Sequence, residues 1–450
     1  MKFIFLAPVR QSFRYYSPII LNLIKHNFEF HVWIDTDDYR AIEKSCIKDP
    51  FFEKISDRVS FFSFDSELEE KILANEGRYF VSLNPPEFEL SQKLRNAIDK
   101  HWIIIQHGYD TFLEFLKWEV RNKAKLENNY TRYFMTYTDF FYNKNYKWLR
   151  NACPLKSSSA YKYLSSVKTI KVPMGFPICT GTTSKCMRNY EKKRSLLYLP
   201  FPYSEDRVNN LFVENPSYAW EFMFSGRYMR TKYSFHLFPK TTLKRIVSEF
   251  YFFLRGWWTS IYRYEAWELF FKGLNEKKVI FELRKFCDKN NLELVIKGRR
   301  KFNINKYAYE VADEIIDDNE LSQCPTKLQE AVKNADIVVG YNSTAIFEVA
   351  SMKKLYININ LPLVFFNNDR LSFDLFDTFS QDSMYNHKTI TRAFTIEHFI
   401  NYFSTKKLSE LRVKHQDIVS FKKRYLNQFN NSPEEKFVEF FSSVEKKSKS

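Results

Sequence analysis

Residues 336–348 read D-I-V-V-G-Y-N-S-T-A-I-F-E. Three apolar residues and a tyrosine surround a glycine without the polar–apolar alternation of a half-exposed strand, so the first part belongs inside a parallel sheet covered on both faces. Asn342, Ser343 and Thr344 then fall where an apolar-faced helix starts, and each can cap it. A helix start also carries free N–H groups and a partial positive charge, so the same three residues are suited to holding phosphate. Spacing alone leaves capping and phosphate binding both open. Glu348 lies about a turn and a half further on, either as a hydrogen-bond acceptor for a ribose or as a surface carboxylate.

The surrounding sequence repeats this strand-then-helix pattern twice. In the first series, strands are expected at 2–7, 29–35, 78–83, 101–108, 132–138 and 167–177, with a helix at 18–27. The second series opens with the strand SLLYLP at 195–200. It continues with a helix at 264–290, a strand at 292–298, a helix at 325–334, the strand 336–341, a helix at 343–352 and a strand at 354–359. An α/β chain with two Rossmann-like domains facing across a cleft follows, because βαβ rhythm builds parallel sheets and the rhythm restarts with its own first strand. The expected domains are 1–190 and 191–405, with helices and a tail at 406–450. Ligands of such pairs bind at the carboxyl ends of the strands.

Composition removes several alternatives. Nine glycines in 450 residues, against roughly 7% in average usage, leave no G-x-G-x-x-G and no Walker A loop. The formal charge of +16 favours anionic partners, whether nucleic acid, membrane or phosphorylated substrate. No recognised nucleic-acid module is present, so nucleic acid is not expected as a partner. The six cysteines show no metal spacing, and scattered reduced thiols fit a cytoplasmic protein. No stretch reaches the length of a membrane span. The segment 203–262, with Trp257, Trp258 and basic flanks, is either a packing insert or an interfacial element meeting anionic lipid.

Three further stretches carry chemistry. L-V-I-K-G-R-R-K (294–301) places Lys297, Arg299, Arg300 and Lys301 at a strand's carboxyl end, where a diphosphate would meet a point charge and guanidinium forks. A solvated basic loop is the alternative. I-I-I-Q-H-G-Y-D (103–110) ends a strand on His107, with Gly108 allowing a tight turn and Asp110 close by. A neutral imidazole there can take a proton from a hydroxyl near pH 7. D-T-D (35–37) has the spacing of a metal-binding pair, but after the second strand of a βαβ unit a turn or a nucleotide-side carboxylate is the better reading. No metal is expected.

In order, Q-H-G, Y-T-D-F-F (137–141), G-F-P (175–177), Y-L-P (198–200), V-I-K-G-R (295–299) and G-Y-N-S-T-A-I-F-E (340–348) resemble GT-B glycosyltransferase-like proteins of bacterial surface-polysaccharide synthesis. That group is related to the teichoic-acid glycerophosphotransferases and to the UDP-N-acetylglucosamine 2-epimerase-like fold. The resemblance spans about 1–200 and 264–405. It implies a C-terminal domain holding a nucleotide-sugar donor through Ser343 and Thr344, and an N-terminal domain holding a glycan or lipid-linked acceptor. His107 would be the base and Asp110 its support, with Lys297, Arg299, Arg300, Asn342 and Glu348 on the donor side and no cofactor. Where the teichoic-acid group has K-x-H-P, this chain has Lys297-Gly298-Arg299-Arg300, which favours a sugar-nucleotide enzyme over a polyol-phosphate transferase. A 2-epimerase of the same fold is the enzymatic alternative. A basic protein binding nucleic acid or membrane is the non-enzymatic one. The cytoplasm, including the inner membrane face, is the expected location.

Overall fold

The structure, a computed structural model, describes residues 3–8, 12–36, 50–83, 94, 97, 101–106, 132–138, 169–177, 194–200, 276–298, 304–317, 325–360, 378–381, 383–427 and 433–447. The insert at 203–262 lies outside them, as do His107, Asp110, Arg299, Arg300 and Asp37, the last residue of D-T-D.

Seven parallel strands form the first sheet in the order β3-β2-β1-β4-β5-β6-β7. These are β1 (Phe3–Ala7), β2 (Phe30–Asp35), β3 (Val59–Phe62), β4 (Tyr79–Ser82), β5 (Trp102–Ile105), β6 (Arg132–Thr136) and β7 (Thr169–Pro173). Six more form the second, in the order β10-β9-β8-β11-β12-β13. They are β8 (Ser195–Tyr198), β9 (Glu293–Lys297), β10 (Glu314–Ile316), β11 (Ile337–Tyr341), β12 (Leu355–Ile359) and β13 (Thr391–Phe394). Every described pairing is parallel. The two-sheet α/β layout expected from the sequence is therefore present.

Each sheet reverses direction once. From β1 the chain builds outward to β3 and then returns to place β4 on the other side of β1. From β8 it builds outward to β10 and returns to place β11 on the other side of β8. At such a reversal the loops leaving two adjacent strands diverge, and the crevice between them is where α/β sheets bind ligands.

Nine helices carry labels here: α1 (Ser12–Lys25), α2 (Phe64–Leu73), α3 (Glu276–Asn290), α4 (Lys306–Val311), α5 (Lys327–Asn334), α6 (Ala345–Ser351), α7 (Ile396–Thr405), α8 (His415–Tyr425) and α9 (Pro433–Lys447). Helix α1 starts before the expected position. Pro18 suggested a first helical residue, the place proline favours, but it lies inside the helix. Asn22 Nδ2 donates to the Pro18 carbonyl at 2.9 Å. The strands not anticipated, β3, β10 and β13, are all sheet edges. Ser60 and Phe61 of β3 are exposed, so the strand lacks the continuous apolar run that marks an interior one.

Alternation along the strands sorts the second sheet between two cores. Leu196 and Tyr198 of β8 point into an outer core with α3, α4 and α7, whereas Leu197 and Leu199 point into an inner core. That inner core is continuous with the core of the first sheet. Phe176, beyond β7, has its ring 5.0 Å from Phe347 of α6. Tyr137, beyond β6, lies 4.8 Å from Phe176 and 5.5 Å from Phe347. Truncating a buried ring such as Phe347 to alanine costs about 3–5 kcal/mol. The last helix returns to the first sheet, where Phe441 packs on Phe3 at 4.8 Å and Phe440 on Tyr133 at 5.4 Å.

Gly175 lets the chain beyond β7 pack closely against the end of α8 and the start of α9. Its φ is +86°, and an added Cβ would lie 2.7 Å from the Leu426 carbonyl oxygen. Gly175→Ala is expected to lower stability by about 2 kcal/mol or more, read as a fall in urea midpoint at unchanged slope.

Cys287 lies in the outer core. Burial, and then the charges of Asp313 and Asp288, push its thiol up from 9.0 to about 12, against the pull of Arg284. The thiol stays protonated in the fold while the unfolded chain ionises above about pH 8.5. Its stabilising contribution is full below that pH and declines as pH rises toward the folded value. The stability gap between the wild type and Cys287→Ala should shrink by about 2 kcal/mol between pH 8 and pH 10, measured by urea titration at each pH.

Candidate functional site

The carboxyl end of β11 is held rigidly. Gly340 leaves room for the Tyr356 hydroxyl, which a Cβ would meet at 2.8 Å, and that hydroxyl donates to the Tyr341 carbonyl at 2.5 Å. Asn342 is tied to the next strand: its Oδ1 accepts from Asn358 Nδ2 at 2.6 Å, and its Nδ2 donates to Asn360 Oδ1 at 3.2 Å. Ser343 Oγ accepts from the Ala345 N–H at 3.3 Å, at the start of α6. Thr344, the residue preceding α6, makes no side-chain capping bond. Asn342 thus fixes the turn, Ser343 caps the helix, and the Thr344 hydroxyl is not engaged in capping.

On the neighbouring strand β8, Tyr198 carries a buried network. Its hydroxyl donates to Glu276 Oε1 at 3.0 Å and lies 2.9 Å from the Tyr341 hydroxyl. Burial first, then Glu276 and Tyr341, hold the Tyr198 hydroxyl well above the usual phenol range. Both strands flanking the reversal of the second sheet are therefore cross-linked at their carboxyl ends. Lys297 ends β9. Its side chain is buried and its Nζ donates to the Gly298 carbonyl at 3.3 Å, so it is a packed strand residue with its ammonium at the strand end. Arg299 and Arg300 follow beyond the described residues.

In the first sheet, Gln106 is fully buried directly after β5. Its N–H donates to the Met135 carbonyl at 2.9 Å, and its Oε1 accepts from the Tyr137 N–H at 2.8 Å. This clamp fixes the backbone up to the residue before His107. His107 and Asp110 lie outside the described residues. Asp35, the first residue of D-T-D, accepts from the Phe64 N–H at 3.2 Å and so ties the end of β2 to the start of α2. Among the described residues no group of three or more His, Cys, Asp or Glu side chains could hold a metal ion, and no helix is long and apolar enough to cross a membrane.

A charged contact joins helices of the two sheets. Arg14 of α1, the helix leaving β1, forms an ion pair from Nη2 to Glu348 Oε1 of α6, the helix leaving β11. Glu348 is fully buried, whereas 29% of the Arg14 side chain stays exposed. Burial works against the cation, but the Glu348 charge and hydrogen bond outweigh it and keep Arg14 protonated above its ordinary value. Glu348 was read from the sequence as a ribose acceptor or a surface carboxylate; it is buried rather than at the surface, and its Oε1 pairs with Arg14. Arg14 was not anticipated as a site residue. Its signal was its isolation, as the only charge between Ser12 and Ile24. Because α1 and α6 both leave strands at the reversals, this pair brings the two crevices to face one another. Tyr137 and Phe176, just beyond β6 and β7, reach α6 from the same side.

No family model matches the chain, and no curated protein matches it. Among solved structures it is similar to the wall teichoic acid polymerase TagF, at 12% identity and a TM-score of 0.48 over 100% of this chain and 89% of that one. It is similar also to the UDP-GlcNAc 2-epimerase of Neisseria meningitidis bound to UDP-GlcNAc, at 10% identity and 0.42 over 99% and 100%. A third is the glycosyltransferase SnogD from Streptomyces nogalater, at 7% identity and 0.39 over 99% of each chain. These identities assign no residue a role.

Removing one partner of a buried ion pair leaves the other charge uncompensated, at about 3–5 kcal/mol, while an apolar pair of similar volume is often tolerated. Arg14→Met is therefore expected to destabilise strongly. Adding Glu348→Leu to it should restore most of the loss in a double-mutant cycle by urea unfolding.

Proposed function

We propose that this protein is a GT-B type glycosyltransferase that moves a sugar from a nucleotide-sugar donor to a hydroxyl of a surface-glycan or lipid-linked acceptor. The observation that carries the reading is the facing of two strand-order reversals, one per parallel sheet, joined by the Arg14–Glu348 pair. Two substrates held at opposed carboxyl ends have their reacting atoms brought together by the fold, which converts a bimolecular step into an effectively unimolecular one.

The donor lies against the second sheet. Ser343 and Thr344 offer hydroxyls to its diphosphate, Asn342 fixes their turn, and Lys297, Arg299 and Arg300 supply positive charge to the leaving group. Charge stabilisation by fixed groups does the work that a metal does in other transferases, so the reaction is metal-independent. The acceptor lies against the first sheet, where His107, reached directly from the Gln106 clamp, removes the proton from the attacking hydroxyl with Asp110 in support. Direct attack by the acceptor inverts the configuration at the sugar carbon. The lipid-linked acceptor brings the chain to the cytoplasmic membrane face, and the 203–262 insert is the element that meets anionic lipid there.

Thermal-shift measurements against UDP-, GDP-, CMP- and CDP-linked sugars should find one class that raises Tm. Product analysis then separates transfer from epimerisation, since an epimerase consumes donor without acceptor. His107→Ala is expected to lower turnover about 10²- to 10⁴-fold with little change in donor affinity, and EDTA to leave the rate unchanged. An unchanged rate in His107→Ala removes that residue from the mechanism, and activity lost to chelator and restored by Mn²⁺ overturns metal independence.

A further inference from the structure

The first turn of α1 holds two polar groups that the fold leaves without partners. Ser12, the first residue of the helix, is fully buried, and its Oγ has no hydrogen-bond partner. Arg14 Nε is likewise buried without a partner, although Nη2 of the same guanidinium bonds Glu348. A buried donor without a partner forfeits its solvation and is rare in folded proteins, so each such group calls for a missing occupant. Two occur within three residues, at the start of a 14-residue helix. That helix leaves β1 at the reversal of the first sheet, where its first N–H groups and its dipole favour an anion.

We propose that Arg14, Ser12 and the N-terminus of α1 form a phosphate subsite on the first sheet, which takes the diphosphate of a substrate. This rests on the reading of the facing reversals as the substrate-binding region and names the chemistry held on the side opposite Ser343 and Thr344. Glu348 is the positioning residue. By accepting from Nη2 alone it orients the guanidinium and leaves Nε and the exposed part of the side chain for phosphate oxygens. Guanidinium matches phosphate through paired N–H donors, which an ammonium cannot reproduce. Side chains of a helix lean toward its N-terminus, so residues 12 and 14, on opposite sides of the axis, bracket the position that an anion at the helix end would occupy. A diphosphate reaches this place from either of two sources, the nucleotide donor or a lipid-linked acceptor.

The test uses the full chain with inorganic pyrophosphate, nucleoside diphosphates and a short prenyl diphosphate, followed by calorimetry and thermal shift. Wild type is expected to bind pyrophosphate. Arg14→Lys, which keeps a cation opposite Glu348, should weaken that binding at least tenfold. The Arg14→Met/Glu348→Leu double variant should abolish it while remaining folded. Ser12→Ala gives the sharper reading. Removal of an unpartnered buried hydroxyl should raise Tm without ligand and also reduce the pyrophosphate-induced shift. Competition by the nucleoside diphosphate assigns the subsite to the donor, and competition by the prenyl diphosphate assigns it to the acceptor. Equal pyrophosphate affinity in wild type, Arg14→Lys and Ser12→Ala overturns the proposal, as does a Ser12→Ala variant that loses stability and keeps its affinity. If a nucleotide sugar binds wild type and these variants alike, the subsite fails while the transferase reading stands. If pyrophosphate binds and is lost in the variants while no nucleotide sugar binds, the subsite stands and the transferase reading fails. Absence of binding by every probe overturns both.

Discussion

A carboxylate with no exposure to water governs the geometry of this molecule. Glu348 is buried in α6 and is balanced by Arg14 of α1, so the two parallel sheets have one relative placement in which neither charge is stranded. An ion pair of this kind adds little net stability, because desolvation cancels much of the attraction, but breaking it is costly. Its effect is to specify an arrangement. The rings of Tyr137, Phe176 and Phe347 provide the apolar contact around it, and the Thr138 hydroxyl, donating to the Arg424 carbonyl at 3.0 Å, adds a polar tie to α8. The crevices of the two sheets face each other as a result of these contacts.

The same principle operates within each sheet. Strand ends carry the groups that matter, and strand ends are where backbone order is usually lost. Here Gln106, Asn342 and Tyr356 each hydrogen-bond across to the neighbouring strand or loop at that level. The turns that present Ser343, Thr344 and the chain leading into His107 are thereby held by side chains rather than by glycine loops. The scarcity of glycine in the sequence is consistent with this. Gly340 and Gly175 stand where another backbone or hydroxyl comes too close for a Cβ.

Interior strands were legible in the sequence because burial on both faces writes an unbroken apolar run, as in W-I-I-I of β5 or I-V-V-G-Y of β11. Three of the four edge strands, β3, β10 and β13, were not, since each contacts one neighbour and shares the polarity of a loop. Helix α1 was placed too late because proline marks helix starts more often than interiors. Among the candidate residues, Asn342 and Ser343 fall at the strand–helix junction that the spacing indicated. The partner of Glu348 was not legible, because nothing local connects residue 14 to residue 348. Two groups brought together only by the packing of separate sheets leave no periodic trace. The one available clue was a charge in the first turn of a helix whose other charge, Lys25, stands at its far end.

The return of α9 to the first sheet, with Phe441 against Phe3, bears on how the protein is made. The first strand leaves the ribosome long before the helix that covers it, at synthesis rates of about 5–20 residues per second. During that interval the apolar surface awaiting α9 is exposed, and α1 lacks the Glu348 carboxylate that neutralises Arg14. Until α6 and α9 are made, the first sheet keeps an uncovered apolar face and a cation without its carboxylate.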